Sequence, residues 1–149
     1  MKIPALVIAQ LLLSSAPSPG RELSEARLLA PLHNQSAVDG CSWSASSRGV
    51  GKGYIFLAEY DQSKILMNIG GVDTDLRLIS SRGNLSRLGS VATDVYRSQA
   101  GTVVYATYRT TWRCPVGQES CEVTRFDATY EVTTGSRRQV VHGTGAVGC

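Results

Sequence analysis

The sequence predicts an all-β domain, built either as a small antiparallel barrel or as a two-layer sandwich of six to seven strands. Three observations predict it: apolar and polar residues alternate over much of residues 54–147, glycine-containing turns separate these stretches, and there are four cysteines. Hydrophobic residues make up 42% of the 149 residues and charged residues 18%, which excludes a disordered chain and suits one folded domain.

The first 20 residues have the features of an export signal. Lys2 precedes an apolar run over residues 3–13, and small residues follow it. The run is shorter than the roughly 20 residues that a transmembrane helix needs. We therefore expect residues 1–20 to be removed, no stable membrane span to remain, and the protein to be periplasmic or secreted. An uncleaved membrane anchor is the alternative.

Residues 21–38 form a leader or a short helix in this interpretation. Apolar residues recur at helical spacing, for example at Leu28, Leu29 and Leu32, and two glutamates near the start suit the positive end of a helix dipole. Pro31 interrupts the pattern. The disulfide-tied β-domain then covers residues 39–149.

The clearest local signal is the hairpin over residues 65–78. Its centre, Gly70-Gly71, offers two residues that adopt positive φ without strain, as a type I′ turn requires. One register puts a mostly apolar set on one face and a more polar set on the other. That register pairs Ile69 with Val72, Asn68 with Asp73, Met67 with Thr74, Leu66 with Asp75 and Ile65 with Leu76.

Further strands are predicted at residues 54–60, 91–97, 102–113, 122–133 and 138–147, each by alternation or by a dense apolar run. A turn at Ser98-Gln99-Ala100-Gly101 joins two of them. Alternation places four side chains of the strand at 102–113 on one face: Val104, Ala106, Tyr108 and Trp112. In the strand at 122–133 it points Phe126, Ala128, Tyr130 and Val132 inward.

Four cysteines in an exported chain indicate two disulfides. We expect the near neighbours Cys114 and Cys121 to pair, and Cys41 to pair with Cys149. Alternation places Cys114 and Cys121 on opposite faces of their strands. A bulge, or an irregular loop at residues 115–120, would supply the additional residue that the bond needs.

Metal and catalytic chemistry are weakly indicated, so we expect no enzyme activity, no metal and no cofactor. The cysteine spacing C-x6-C differs from that of zinc knuckles, and the glycine loop at residues 48–53 departs from the phosphate-binding motif. Asp73 and Asp75 share a face but suit a solvated strand edge, and His142 lacks a hydrolase motif around it. A small secreted hydrolase using these three residues is kept as an alternative.

Arginines supply the most specific surface feature, because 12 of the 15 basic residues are arginine. Arg109 and Arg113 share a predicted face with Tyr105, which would suit an acidic protein surface or a glycan. Asp127 and Glu131 on the next strand offer ordinary cross-strand pairing instead. The net charge of +3 is too small for a nucleic-acid partner.

The β-region resembles a group of small exported bacterial proteins without known activity. The features that carry the resemblance are GCSW at residues 40–43, the strand–Gly-Gly–strand unit at 65–78, and the glycine-rich ending at 143–149. Together they span about 110 residues. The resemblance implies an exported β-domain.

The chain is also similar, more weakly, to the C-type lysozyme inhibitors, which are small periplasmic β-barrels with disulfides. Their working loop carries Ser-Gly with a tyrosine nearby; here two residues separate Ser98 from Gly101, and Tyr105 follows. The similarity implies a contact loop at residues 98–102, with Tyr105 and Arg109 beside it.

We therefore expect an exported, non-enzymatic binding domain of the bacterial envelope. An inhibitor or immunity protein is the most concrete version, with a protein or glycan of the envelope as its partner. A structural envelope component without a discrete ligand is another alternative, and the oligomeric state is left open.

Overall fold

The computed structural model describes residues 27–149, so the predicted export signal and the start of the predicted leader lie outside the described residues. Within the described part no helix is long and apolar enough to cross a membrane. Nine strands form: β1 Leu29–Ala30, β2 Ser42–Ser46, β3 Tyr54–Glu59, β4 Ile65–Ile69, β5 Val72–Gly83, β6 Val91–Ser98, β7 Val103–Arg113, β8 Val123–Thr134 and β9 Arg137–Gly148.

Strands β2 to β9 form a closed antiparallel barrel. Each strand pairs with the next along the chain, and β9 returns to pair with β2; β1 is an extra strand added to β4. The all-β prediction and its barrel version are confirmed. The barrel has eight strands, with β1 as a ninth strand beside it, so the predicted number of six to seven is too low. The sequence does not predict β2, because its residues, SWSAS, are few and mostly polar.

The predicted amino-terminal helix is not found in the described residues, where residues 27–38 run without helix. Tertiary contacts override the helical spacing. The backbone N–H groups of Leu28 and Leu29 both donate to Gln139 Oε1, at 2.8 and 2.9 Å, and both leucines pack into the barrel core. Leu32 lies outside the barrel wall, against Leu57 and Leu66.

The predicted Gly-Gly hairpin is confirmed. Gly70 and Gly71 have φ of +63° and +89°, and the register of β4 and β5 matches the predicted one at all five pairs. The wall formed by β5 then extends beyond β4. Residues 77–83 pair only with β6 in the part of the chain that the structure describes.

Strand β7 contains a bulge that changes one predicted face. The register with β8 shifts between Thr110 and Trp112, so Trp112 lies opposite Arg125 on the outer face, with the guanidinium 5.0 Å from the ring centre. The prediction that Trp112 shares a face with Val104, Ala106 and Tyr108 is therefore wrong. The bulge is the additional residue that the Cys114–Cys121 bond requires, and it lies within the strand.

Aromatic rings fill the middle of the barrel. Phe56, Tyr96, Tyr108, Phe126 and Tyr130 are each at most 1% exposed, and their neighbouring ring centres lie 4.9–6.4 Å apart. The residues of β8 that alternation points inward are buried with them, and so are Val104 and Ala106 of β7, which precede the bulge. An eight-stranded barrel has room for side chains of this kind, and such ring pairs add to the stability that their burial provides.

Gly145 of β9 makes space for this aromatic layer. A Cβ atom at this position would lie 2.7 Å from the ring of Phe126, and it would also collide with the Ser44 carbonyl. The glycine-rich ending of the chain therefore has a packing reason, since β9 and β2 approach closely only because a side chain is missing here.

Both predicted disulfides are present. Cys41–Cys149 joins the start of β2 to the end of β9, across the seam where the barrel closes, and Cys114–Cys121 spans the connection between β7 and β8. The two bonds lie at the same end of the barrel. They indicate an oxidising compartment, because reducing compartments keep such thiols free.

Removing the two disulfides separately should give unequal losses of stability. Chain entropy predicts a loss of about 4.7 kcal/mol for a loop of about 100 residues, as in Cys41→Ser/Cys149→Ser. The short loop predicts only about 2.5 kcal/mol for Cys114→Ser/Cys121→Ser. Urea unfolding of the three proteins measures both losses. Equal losses of unfolding free energy, or a larger loss on removal of Cys114–Cys121, would contradict the inference that Cys41–Cys149 stabilises the closure of the barrel more strongly.

Candidate functional site

The barrel has two chemically different ends. The disulfide end contains both cystines and the loops that follow β3, β5 and β7. The opposite end contains the Gly-Gly turn, the β8–β9 turn and the β6–β7 turn with the predicted contact loop at residues 98–102. A ligand site at one end is therefore separate from a site at the other.

A cavity of about 480 Å³ opens at the disulfide end, and we call it the mouth cavity. It lies beside the part of β5 that extends past β4, and Ser81 of that segment lines it. Apolar walls and a polar floor make it amphipathic. The walls include Trp43, Leu78, Leu85 and Val147, and the polar lining includes Gln62, Asp94 and Arg113.

Asp94 is the most unusual residue of this cavity, because it is an acidic residue that is only 3% exposed. Its Oδ2 atom accepts from the Tyr96 hydroxyl at 3.0 Å and from Gln62 Nε2 at 3.2 Å. Its Oδ1 atom is buried and has no hydrogen-bond partner among the described residues. A buried acceptor left in this state costs about 1–3 kcal/mol.

Two tyrosine hydroxyls extend the network into the core. Tyr96 and Tyr108 lie with their hydroxyl oxygens 2.9 Å apart. Burial raises the pKa of Tyr96, and the neighbouring Asp94 charge raises it further; burial and the proximity of Tyr96 raise the pKa of Tyr108. Both tyrosines therefore stay neutral, and Tyr96 donates a proton in its hydrogen bond to Asp94.

Gln62 reaches the cavity from the loop between β3 and β4. Its backbone has φ of +59°, an uncommon value for a residue other than glycine, and its N–H donates to the Glu59 carbonyl at 2.8 Å. Its side-chain Oε1 is buried without a partner among the described residues. Strained backbone and unpaired polar atoms are typical of functional sites.

The mouth cavity is thus suited to recognition. Two of its lining residues, Asp94 and Gln62, each have a buried side-chain oxygen without a partner among the described residues, and apolar side chains line the same cavity. A ligand that combines N–H donors with an apolar body would satisfy both parts.

The predicted contact residues do not form one cluster. Ser98 is buried, with its Oγ accepting from the Thr102 backbone at 3.0 Å, and Gly101 has φ of +92° in the exposed turn. Arg109 lies opposite Val91, at the other end of β6 and roughly 23 Å from Ser98 at 3.3 Å per residue. Tyr105, half exposed, lies between them on the outer wall. The contact loop stays a prediction.

The predicted arginine patch is divided by the bulge in β7. Arg109 stays outside and donates to the Gly89 carbonyl at 3.2 Å, whereas Arg113 turns inward and lines the mouth cavity. The prediction that both share a face with Tyr105 is therefore wrong for Arg113. Glu131 forms an ion pair with Arg138 at 2.8 Å.

The three residues considered for catalysis, Asp73, Asp75 and His142, lie in different surroundings. Asp73 accepts from the backbone N–H groups of His33 and Asn34, both at 2.9 Å, and so holds the amino-terminal segment onto the hairpin. His142 lies on β9 beside Thr129. Asp75 is exposed on β5. Within residues 27–149 no group of three or more potential ligands is placed to hold a metal ion.

Sequence reasoning missed Asp94 and Gln62. Asp94 could have been found, because it has the same alternation parity as the inward residues Ala92 and Tyr96, and a carboxylate at such a position is unusual. Gln62 lies in a loop and has no comparable signal.

No protein-family model, no curated protein and no solved structure matches the chain. The resemblances to small exported bacterial proteins and to lysozyme inhibitors therefore stay predictions.

Asp73→Asn should reduce the loss of stability in acid. Partial burial opposes ionisation, but hydrogen bonds from Asn34 and His33 outweigh it, so the pKa of Asp73 lies below its ordinary value of 3.8. The stability that its carboxylate contributes is present above the unfolded pKa and is lost as pH falls through the folded pKa. Urea unfolding between about pH 5 and pH 2 measures this loss.

Asp75→Asn, two residues along the same strand, is the matched control. We expect the wild type and this control to lose stability in parallel, and Asp73→Asn to lose less. Three parallel curves would show that Asp73 does not fasten the amino-terminal segment.

Proposed function

We propose that the protein is an exported, non-enzymatic binding domain whose binding site is the mouth cavity. One observation carries the proposal: Asp94 lines a cavity that opens to solvent, and one oxygen of its buried carboxylate has no hydrogen-bond partner among the described residues. Folding leaves such a group unpaired at a cost, and a bound ligand removes that cost. Pockets with a few polar groups in apolar walls are typical ligand sites.

The disulfides support a rigid rim. Cys41, Cys114 and Cys121 line a neighbouring cavity at the same end, which also contains Tyr60 and Arg113 of the mouth-cavity lining. Crosslinks beside a site reduce the entropy that is lost when a ligand orders its surroundings. The oxidising compartment that they indicate, together with the predicted export signal, supports a periplasmic or secreted protein.

The size of the cavity suits a small partner group. Its volume of about 480 Å³ admits a small molecule or one or two side chains of a larger partner. The second possibility agrees with the predicted inhibitor or immunity role, in which an envelope protein or glycan would insert a group into the mouth.

A structural envelope component is the second candidate, and one observation favours it. Residues 77–83 of β5 form an open strand edge in the described part of the chain, and such edges can pair with another chain. The register shift between Leu78 and Ser80, together with Arg77 and Arg82, makes this edge a poor template for self-pairing.

Two tryptophan variants test which end of the barrel binds the partner. Ser81→Trp places a large ring in the mouth cavity from an exposed position, and Gln99→Trp places the same ring in the predicted contact loop at the opposite end. We expect an envelope partner captured by the oxidised wild type to be lost from Ser81→Trp and kept by Gln99→Trp. Mass spectrometry of the captured proteins and the thermal midpoints of both variants are measured together.

The opposite pattern would contradict the proposed site. Loss of the partner from Gln99→Trp alone would assign binding to the loop at residues 98–102. Retention by both variants would place it on the outer wall or on the open edge of β5.

A further inference from the structure

We infer that the mouth cavity binds an ammonium or guanidinium group, held by the carboxylate of Asp94. The inference rests on the proposed function and adds the chemical class of the ligand. A free amine and a lysine or arginine side chain of a partner protein share this chemistry.

Within residues 27–149, no positive group pairs with Asp94. Both of its hydrogen-bond donors, the Tyr96 hydroxyl and the Gln62 amide, are neutral groups. Arg113 lines the same cavity but lies beyond salt-bridge distance of the carboxylate. Buried charges in proteins are typically paired with an opposite charge or with a metal, which favours a cation as the missing partner.

The unpaired acceptors specify a ligand that is rich in donors. Asp94 Oδ1 and Gln62 Oε1 both lack a partner within the described residues. An ammonium group carries three N–H donors and no acceptor, and a guanidinium group carries five. Either carries enough N–H donors to supply both Asp94 Oδ1 and Gln62 Oε1.

The walls of the cavity suit an apolar stem behind the positive group. Leu78, Leu85 and Val147 contribute aliphatic surface, and the aromatic residues Trp43 and Tyr60 stand among them. The Trp43 indole N–H is already bonded to the Tyr60 carbonyl at 3.2 Å, which holds the ring in position. Aliphatic stems pack on such walls, and cations are attracted to indole faces.

Three probes of similar shape test the charge requirement: 2-phenylethylamine, 2-phenylethanol and 3-phenylpropionate. Calorimetric titration of the oxidised full chain should show the amine binding about tenfold or more tightly than the alcohol, with the acid weakest. Asp94→Asn should weaken amine binding about tenfold or more. Asp75→Asn, which removes an exposed carboxylate elsewhere on the barrel, should leave it unchanged.

A second variant keeps the test decisive if Asp94→Asn fails to fold. Ser81 lies directly across the β5–β6 pair from Asp94, so Ser81→Lys supplies a resident ammonium group beside the carboxylate. We expect Ser81→Lys to suppress amine binding, and Ser81→Met, with a neutral side chain of similar length, to retain it.

A lysine peptide distinguishes the two sources of the cation. Binding of acetyl-Gly-Lys-Gly-amide, with loss on lysine acetylation, would identify a protein side chain as the group recognised. Binding of 2-phenylethylamine alone would identify a small amine.

The failures of the inference and of the proposed function look different. Equal binding of amine and alcohol, unaffected by Asp94→Asn but blocked by Ser81→Trp, overturns the inference and leaves the site in place. Probe binding that Ser81→Trp does not block overturns the site itself. The absence of binding by every probe and peptide also overturns the inference, and the partner-capture experiment then decides on the proposed function.

Discussion

The buried carboxylate of Asp94, which contacts the tyrosines of the barrel core, is the constraint on which the proposed function depends. The Tyr96 hydroxyl satisfies one oxygen of Asp94 and connects it to Tyr108 in the core. The other oxygen is left without a partner in the described residues. Aromatic rings fill the middle of the barrel, and the mouth cavity lies beside residues 77–83 of β5, which pair only with β6 in the described part of the chain.

The disulfides lie at the same end of the barrel as the proposed binding site. A barrel that is open at one end needs support there, since its rim has loops and a free strand segment in place of paired strands. Cys41–Cys149 closes the seam at this end, and Cys114–Cys121 holds the longest rim connection beyond β7. The two disulfides therefore crosslink the end of the barrel at which the mouth cavity opens, and this supports the proposed recognition of a small, specific group.

Much of the barrel follows from the sequence, and the exceptions have physical reasons. Alternation and the Gly-Gly turn predict seven of the eight barrel strands and the full β4–β5 register, because each strand has one face buried. The bulge at Thr110–Trp112 has no local signal, and it moved Arg113 from the outer wall into the mouth. Alternation within β6 places Asp94 with the buried residues Ala92 and Tyr96, but alternation alone does not show that a cavity forms beside it. The contact loop came from a resemblance, and it lies at the opposite end.

The central claim is that Asp94 is a buried carboxylate in need of a cation. The coupling free energy between Ser81→Lys and Asp94→Asn, measured by urea unfolding of both single variants and the double variant, tests it most directly. The account predicts that the lysine stabilises the fold only when Asp94 is present, with a coupling of about 0.5–3 kcal/mol. Additive effects, with a coupling smaller than about 0.3 kcal/mol, would contradict it.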